Sequence, residues 1–548
     1  MVKTFPSKVL VQGKEDRNPA IKLHGLRFFA DQTVSELLLE MLLVATSSKR
    51  IGDVKFDSNR FLPDIDLLRH WPSPARLQYA PPARLNLKLF AFLGASRLDS
   101  RHPSHLAHYR TLVVQGLSPA HISLAGGAEA LEVLRTLENL FLGFQSVGGN
   151  RTWCAASFLP IARELIAGES IWQETKARRK GVADWESALS YFGHSQQIFL
   201  ARGGELLYLQ LCNALRQDAE LIRSWLLEAG VSASSEESNS EELHRGLTSA
   251  FAKILDACPE TVGKLAVFLD TAIDPKAAEH TDCDPNTGGR RYASCGWCPE
   301  DSWREGAFFA IELVRLCSAD IDPIERIELL EIACAMQLLR SLCAQSARYT
   351  IRRDAVDSEA GPLRYVWVVS DPAGRQPVVK QISRRNVSAV QRMIHDAIRH
   401  SSITDELPSM SDSDLAKAYR EADGRYGHKL FLTVAKRIGL IVPRRGAGAR
   451  FVLTDKLLRY LVLSTVRPGQ RITYESFKRL IFAHHGLAVD DDTIGRSCSW
   501  SGTPRLTTLG GKTDTWLSEM LDASGMLIRL SDSCSLVTNP FGSGEKRA

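Results

Sequence analysis

Four residues limit what this chain can fold into more than any others: His280, Cys283, Cys295 and Cys298, spaced His-x2-Cys-x11-Cys-x2-Cys. Between the two pairs runs Asp284-Pro285-Asn286-Thr287-Gly288-Gly289, a loop-forming stretch. Two ligand pairs joined by a flexible span can close a tetrahedron around Zn²⁺. Gly296 lets the backbone turn tightly between the two later sulfurs. Four protein ligands leave no open coordination position, so the expected ion is structural rather than catalytic. Cysteines at this spacing also occur as plain core residues, but a polar Gly/Pro-rich loop offers them no apolar surroundings. Cys258 is the reserve ligand should His280 not serve. Structural zinc contributes about 10–16 kcal/mol in peptide sites, enough to fix a loop that has no core of its own.

Length and composition add the next bounds. A chain of 548 residues implies about three to four domains. With 44% apolar and 24% charged residues, its composition is that of an ordinary soluble globular protein. The longest apolar run, Leu37 to Ala45, is broken by Glu40 and falls short of the roughly 18 residues a membrane helix needs. Met1-Val2-Lys3-Thr4-Phe5-Pro6 has no signal-peptide character. The cysteine count, 11, is odd and most of these lie in helical patterns, which argues against a secreted disulfide framework. The expected compartment is the cytoplasm, with no membrane contact.

The fold class expected is mainly α: a multidomain helical body with a zinc-binding loop and C-terminal winged-helix (α+β) domains. Val34, Leu37, Leu38, Met41 and Leu42 recur at helical spacing behind Thr33, and Leu131 to Phe141 and Leu206 to Leu227 repeat the pattern. Breaks at Pro72-Ser73-Pro74 and Pro81-Pro82 punctuate the first group. Helices are expected over Ser302–Cys317 and Pro323–Ser346, then a strand at Leu363–Val369 that pairs back with Pro377–Lys380. Ser411 opens a short helix, Tyr426–Ile438 a second, and Leu440–Val442 with Phe451–Leu453 flank a basic glycine-rich tip. Helix, helix, hairpin is the order of a winged helix. A weaker copy follows in Tyr474–His485, Thr513–Leu521, Met526–Leu530 and Ser535–Val537. The segments expected are a helical region (1–115), a helical domain (116–230), a polar linker (231–242), a helical zinc-binding domain (243–350), a hairpin with connecting helix (351–400), two winged helices (401–465 and 466–540) and a disordered tail (541–548).

Charge is unevenly placed. Between Lys380 and Arg479 lie 20 Lys/Arg and 9 Asp/Glu, a net of +11, while the whole chain carries +5, leaving −6 for the rest. Cations concentrated on a winged-helix pattern point to duplex DNA as a partner. Lys429, Lys436 and Arg437 fall on the candidate recognition helix, and Arg444, Arg445 and Arg450 bracket the wing. Solvated surface charge and protein-binding winged helices are the competing explanations.

No catalytic constellation emerges. Gly510-Gly511-Lys512-Thr513 resembles the end of a phosphate loop, but Leu506 replaces its first glycine. Glu174-Thr175-Lys176 sits in a charged helical stretch, and Pro103 interrupts His102, His105 and His108. Trp172, Trp185 and Trp225 fit core anchors better than stacking platforms. The His280/Cys283/Cys295/Cys298 loop and the Gly439–Leu453 wing together resemble accessory subunits of multi-gene bacterial phage-defence systems, restriction-like or methylation-associated. That resemblance covers the last half of the chain and supplies no catalytic residue. It implies a partner ATPase, nuclease or methyltransferase carrying the chemistry. The expectation is therefore a non-enzymatic, zinc-stabilised DNA-binding or DNA-sensing subunit. A protein–protein scaffold, or an enzyme with a site in the N-terminal half, are the alternatives.

Overall fold

A computed structural model describes residues 3–7, 17–25, 33–73, 75–98, 157–168, 170–194, 203–231, 234–256, 260–272, 292–350, 361–501, 513–531 and 534–542, with short pieces between 132 and 146. It is mainly helical. Helix α1 (Val34–Thr46) starts at a capping box: Thr33 accepts the Glu36 amide while the Glu36 carboxylate accepts the Thr33 amide at 2.6 Å. Strands β1 (Ser48–Ile51), β2 (Val54–Phe56), β3 (Leu77–Ala80) and β4 (Ala293–Ser294) form an antiparallel sheet ordered β2-β1-β3-β4. Burial alternates along β1 and β3, as on half-covered strands. The proline breaks seen in the sequence bracket β3, a strand too short for its pattern to stand out.

The centre of the body is built from α2 (Gly203–Leu215), α3 (Ser240–Leu255), α4 (Trp303–Ser318) and α5 (Pro323–Thr350). Every residue of α2 is buried, because α1, α4 and α5 all pack on it. Two glycines permit those approaches. A Cβ on Gly204 would strike the Leu37 carbonyl of α1, and one on Gly306 the Gln210 carbonyl of α2. Trp225 packs on Phe308 with ring centroids 4.6 Å apart, and Trp172 and Trp185 are buried, so all three serve the core.

The later chain runs β5 (Trp367–Val368), α6 (Pro377–Ile398), α7 (Asp412–Glu421), α8 (His428–Arg437), β6 (Ile441–Val442), β7 (Arg450–Phe451) and α9 (Asp455–Thr465). It ends with β8 (Arg471–Thr473), α10 (Tyr474–His485), β9 (Leu487–Ala488), α11 (Thr515–Ala523), β10 (Leu527–Arg529) and β11 (Ser535–Thr538). β6 and β7 form the expected hairpin, and Val369 bridges to Phe451 beside it. β8, β11 and β10 form an antiparallel sheet with β11 central, while β5 and β9 pair in parallel. One continuous buried cluster runs from Phe5 to Val537.

Two expectations are corrected. Pro377–Lys380 is not a returning strand but the first turn of α6, where proline is well tolerated. Val379, Ile382, Val390 and Met393 then continue a helical stripe. The stretch 231–242 is not an extended linker: Ser234 and Glu237 make a second capping box over the turn Ser235–Ser238, and Ser240 begins α3. Serine and glutamate there are helix-start signals rather than solvent-loving filler.

A buried polar chain joins body to carboxy-terminal helices. Arg340 of α5 grips Glu312 of α4 through two bonds of 2.7 and 2.9 Å, with both side chains 0% exposed. Tyr460 of α9 donates to the same carboxylate at 3.0 Å and His484 Nδ1 of α10 lies 2.9 Å from it. Burial depresses the His484 pKa, so the neutral Nδ1–H tautomer is the donor. Arg340 also donates to Gln337 at 2.8 Å, and Gln337 to Gln210 of α2 at 2.7 Å.

Glu237 forms a second tie, accepting from Arg315 at 2.8 Å and from Arg467 at 2.7 Å. Burial alone would raise its carboxyl, but the two guanidinium groups outweigh that and hold it at about 2 instead of 4.5. A depressed carboxyl contributes stability that is present above the unfolded value and lost as pH falls towards the folded one. Glu237 is thus expected to contribute up to about 3 kcal/mol at neutral pH, fading between pH 4.5 and 2. Urea melts across that range should show a shallower pH slope in Glu237→Gln; an unchanged slope would refute the assignment.

Candidate nucleic-acid interface

Helix α8 packs Leu430, Phe431, Val434 and Ala435 inward, with Phe431 against Trp367 and Phe451. That fixes the opposite face: Lys429, Thr433 and Arg437 are exposed and Lys436 is half-buried, at the spacing that aligns side chains along one side. Gly439 ends the run at φ +82°, a conformation glycine adopts without strain. The hairpin follows, with Ile441 opposite Phe451 and Val442 opposite Arg450. Its tip exposes Arg444 and Arg445, and Gly446 and Gly448 sit at φ +93° and +84°.

Arg450 behaves differently from the other residues expected to bind nucleic acid. It is 8% exposed, and its guanidinium donates to Ser370 Oγ at 2.8 Å, Asp371 O at 3.0 Å and Pro372 O at 2.8 Å. It therefore clamps the base of the hairpin to the turn after β5. Neutral acceptors satisfy it, and none of its bonds points outward.

Helix α6 brings cations that sequence patterns had not joined to the hairpin. Arg384 lays its guanidinium against Gly448, where an added Cβ would lie 3.1 Å from Nη2. Lys380 reaches the turn at Gly374 in the same way, its Nζ 3.3 Å from such a Cβ. Arg384, Arg385, Ser388 and Arg392 are all exposed at helical spacing. The available signal for this stripe is the alternation of Val379, Ile382 and Val390 with Lys380, Arg384, Arg385 and Arg392.

Pairing separates two populations of cation. Among the described residues, Lys380, Arg384, Arg385, Arg392, Lys429, Lys436, Arg444 and Arg445 make no ion pair. By contrast Lys456 and Arg459 of α9 meet Glu328 and Glu325 of α5, and Arg467 meets Glu237. Arg399 pairs with Asp423 at 2.6 Å, and Lys478 with Asp514 at 2.7 Å. Part of the positive excess thus docks the later chain onto the acidic body.

Of the four zinc candidates, His280 and Cys283 lie outside the described residues, as do Cys258, His102, His105, His108 and Gly510 to Lys512. Cys295 and Cys298 are fully buried. The Cys295 amide donates to Leu77 O at 2.8 Å, and Cys298 pairs with Phe5, so both are anchored to the amino-terminal sheet region. Burial pushes the Cys298 thiol up to about 12, and a third buried thiol, Cys212 of α2, lies near enough to interact with it. A metal would have to displace the thiol protons. Cys212 carried no spacing signal that could have linked it to this pair.

Glu312, His484 and His485 place three potential ligand atoms within 4.8 Å of one another. Two imidazoles and a carboxylate can bind a divalent metal. Here both oxygens of Glu312 already accept from Arg340, and a divalent ion would add charge beside a buried guanidinium. The cluster is a structural clasp. Glu174-Thr175-Lys176 begins a short helix, Glu174–Lys180, between the strands Ser170–Trp172 and Phe192–His194, which pair antiparallel.

Comparison with protein-family models, with curated proteins and with solved structures finds no match to this chain.

Because Arg450 is an internal clamp, Arg450→Ala should lose about 1–3 kcal/mol in chemical denaturation. Arg444→Ala and Arg445→Ala, at exposed positions, should stay within about 0.5 kcal/mol of the parent. Equal losses at all three would contradict this division.

Proposed function

We propose that this chain is a non-enzymatic, zinc-stabilised duplex-DNA-binding subunit of a multi-protein system, with its chemistry supplied by partners. The observation that carries this is the convergence of Arg384 on the hairpin tip beside Arg444 and Arg445, where exposed guanidinium groups lack acidic partners among the described residues. The order of α7, α8 and the β6–β7 hairpin supports a winged helix. In the last segment, α9, β8, α10 and α11 precede the β10–β11 hairpin, and β8 pairs with the final strand. That order supports a second winged helix. Lys429, Lys436, Arg437, Arg444 and Arg445 would meet phosphates, joined by Lys380, Arg384 and Arg385 of α6; Arg450 would hold the wing in place.

Phosphate contacts release counterions, so the logarithm of affinity should fall about 0.9 per contact for each unit of log salt. Fluorescence anisotropy with duplex DNA is expected to show a slope of roughly −4 to −7 if most of these residues engage. Replacing Arg384, Arg444 and Arg445 by Ala together should lower the slope by about 3. Failure to bind at low salt, or an unchanged slope, removes the proposal.

A specific observation favours a protein-docking role for the last segment. Helix α11 carries no Lys or Arg, and Leu530 at the end of β10 is 60% exposed. Co-purification of a partner in high salt, lost on Leu530→Asp, would support it.

Zinc is proposed at Cys295 and Cys298 with His280 and Cys283. Elemental analysis of purified protein should find one zinc per chain, lost in Cys295→Ser together with protection of the β3–β4 pairing from hydrogen exchange. Metal-free protein of undiminished stability would dismiss the site.

A further inference from the structure

A cavity of about 170 Å³ opens in the amino-terminal half, where α1 ends against β1, β3 and the turn Arg163–Leu165. Its lining includes Ser48, Ser58, Pro81, Pro82 and two guanidinium groups, Arg84 and Arg163. This volume is below the roughly 300–1,000 Å³ of sites for drug-sized ligands, so the occupant is small.

The two arginines are held in place by neighbouring groups. Arg163 is half-buried, donates to Asn59 Oδ1 at 2.9 Å and to the Ser58 carbonyl, and has no carboxylate partner among the described residues. Arg84 is 20% exposed, bonds Ile166 O at 3.4 Å and stands 3.9 Å from Asp270. Asp270 is shared, because its carboxylate also lies 3.4 Å from the Leu87 amide in the first turn of helix Leu85–Leu98. Arg84 adopts φ +46°, a costly conformation for a non-glycine residue.

Among the described residues, Lys49 limits the opposing field of α1. Lys49 is 0% exposed and donates to the carbonyls of Val44 and Ser47 at 3.2 and 2.8 Å, covering the negative end of α1 that would otherwise repel an anion. Its pKa falls to about 7, through burial first, with Arg163 adding to the drop, against Cys212, Cys295 and the exposed Asp57, which pull it up. Arg163 spends N–H groups on two neutral acceptors and keeps others at the cavity wall, in a fork that suits an anion. Two forks and serine hydroxyls approaching from different walls suit a tetrahedral group with three oxygens better than a planar carboxylate.

We infer that this cavity binds the phosphate group of a small molecule between Arg163 and Arg84. The inference does not rest on the DNA-binding proposal. Titration calorimetry on the full chain would use inorganic phosphate and glycerol 3-phosphate as probes. Saturable binding of either is expected, weakened at least about tenfold in Arg163→Gln. Tighter binding of the ester assigns the site to an organic phosphate, and equal binding to the free ion. Without ligand, Arg163→Gln should melt no lower than the parent, because it removes an uncompensated charge; phosphate should raise the parent's Tm but not the variant's. Arg163→Lys, which keeps the charge and loses the fork, should bind with intermediate strength and serves if the first variant does not fold. No saturable binding up to about 10 mM, equal affinity in both variants and the parent, or displacement of phosphate by duplex DNA would each overturn the inference.

Discussion

Glu312 and Arg340 meet in the dry interior, and the union of the helical body with the later chain depends on how completely they satisfy one another. Two buried charges cost several kcal/mol each to strip of water, so such a pair persists only when the remaining donors and acceptors are filled. Here they are. One carboxylate oxygen takes Arg340 and His484, the other Arg340 and Tyr460, while Arg340 also serves Gln337 and the His484 carbonyl. The partners come from α4, α5, α9 and α10. None of these helices can withdraw without leaving a buried charge or donor unmet, and that unites elements far apart in sequence.

The acid–base division of the chain then acquires two separate physical roles. Lys456, Arg459 and Arg467 belong to the basic stretch, yet their partners are Glu328, Glu325 and Glu237 of the body. The pairs at Glu325 and Glu237 are partly buried, while Lys456 and Glu328 meet at the surface, and all three tie the later helices to the body. Arg384, Arg444 and Arg445 have no acidic partner among the described residues. A net charge counted along the sequence merges the two groups; only packing tells which cations remain for an external anion. Helices α6 and α8 and the β6–β7 hairpin hold those that do.

Long helices were legible because their apolar periodicity is extended and their ends carry capping residues. α1, α4, α5 and α8 fall within a few residues of their expected bounds. The β6–β7 hairpin was legible too, since glycines and arginines between two apolar triplets leave few alternatives. The amino-terminal sheet was not, because β1 to β4 contribute two to four residues each and β4 arrives from more than 200 positions away. Nor could spacing reveal that Arg450 turns inward while Arg444 and Arg445 stay out: that depends on the carbonyls of Asp371 and Pro372, brought there by β5. Val378 and Val379 looked like strand residues, and tertiary burial of the helical stripe behind them prevailed over that local preference. The cavity at Arg84 and Arg163 had no local signature, since its walls come from four separate stretches.

The most direct measurement is native-state hydrogen exchange on the parent and on Glu312→Ala, which strands Arg340 in the core. If the clasp unites the two parts, amides of α4, α5, α9 and α10 should lose protection together, by about 3–5 kcal/mol. Loss confined to α10, with α4 and α5 as protected as before, would show that the body and the later helices are stable independently and that the clasp does not join them.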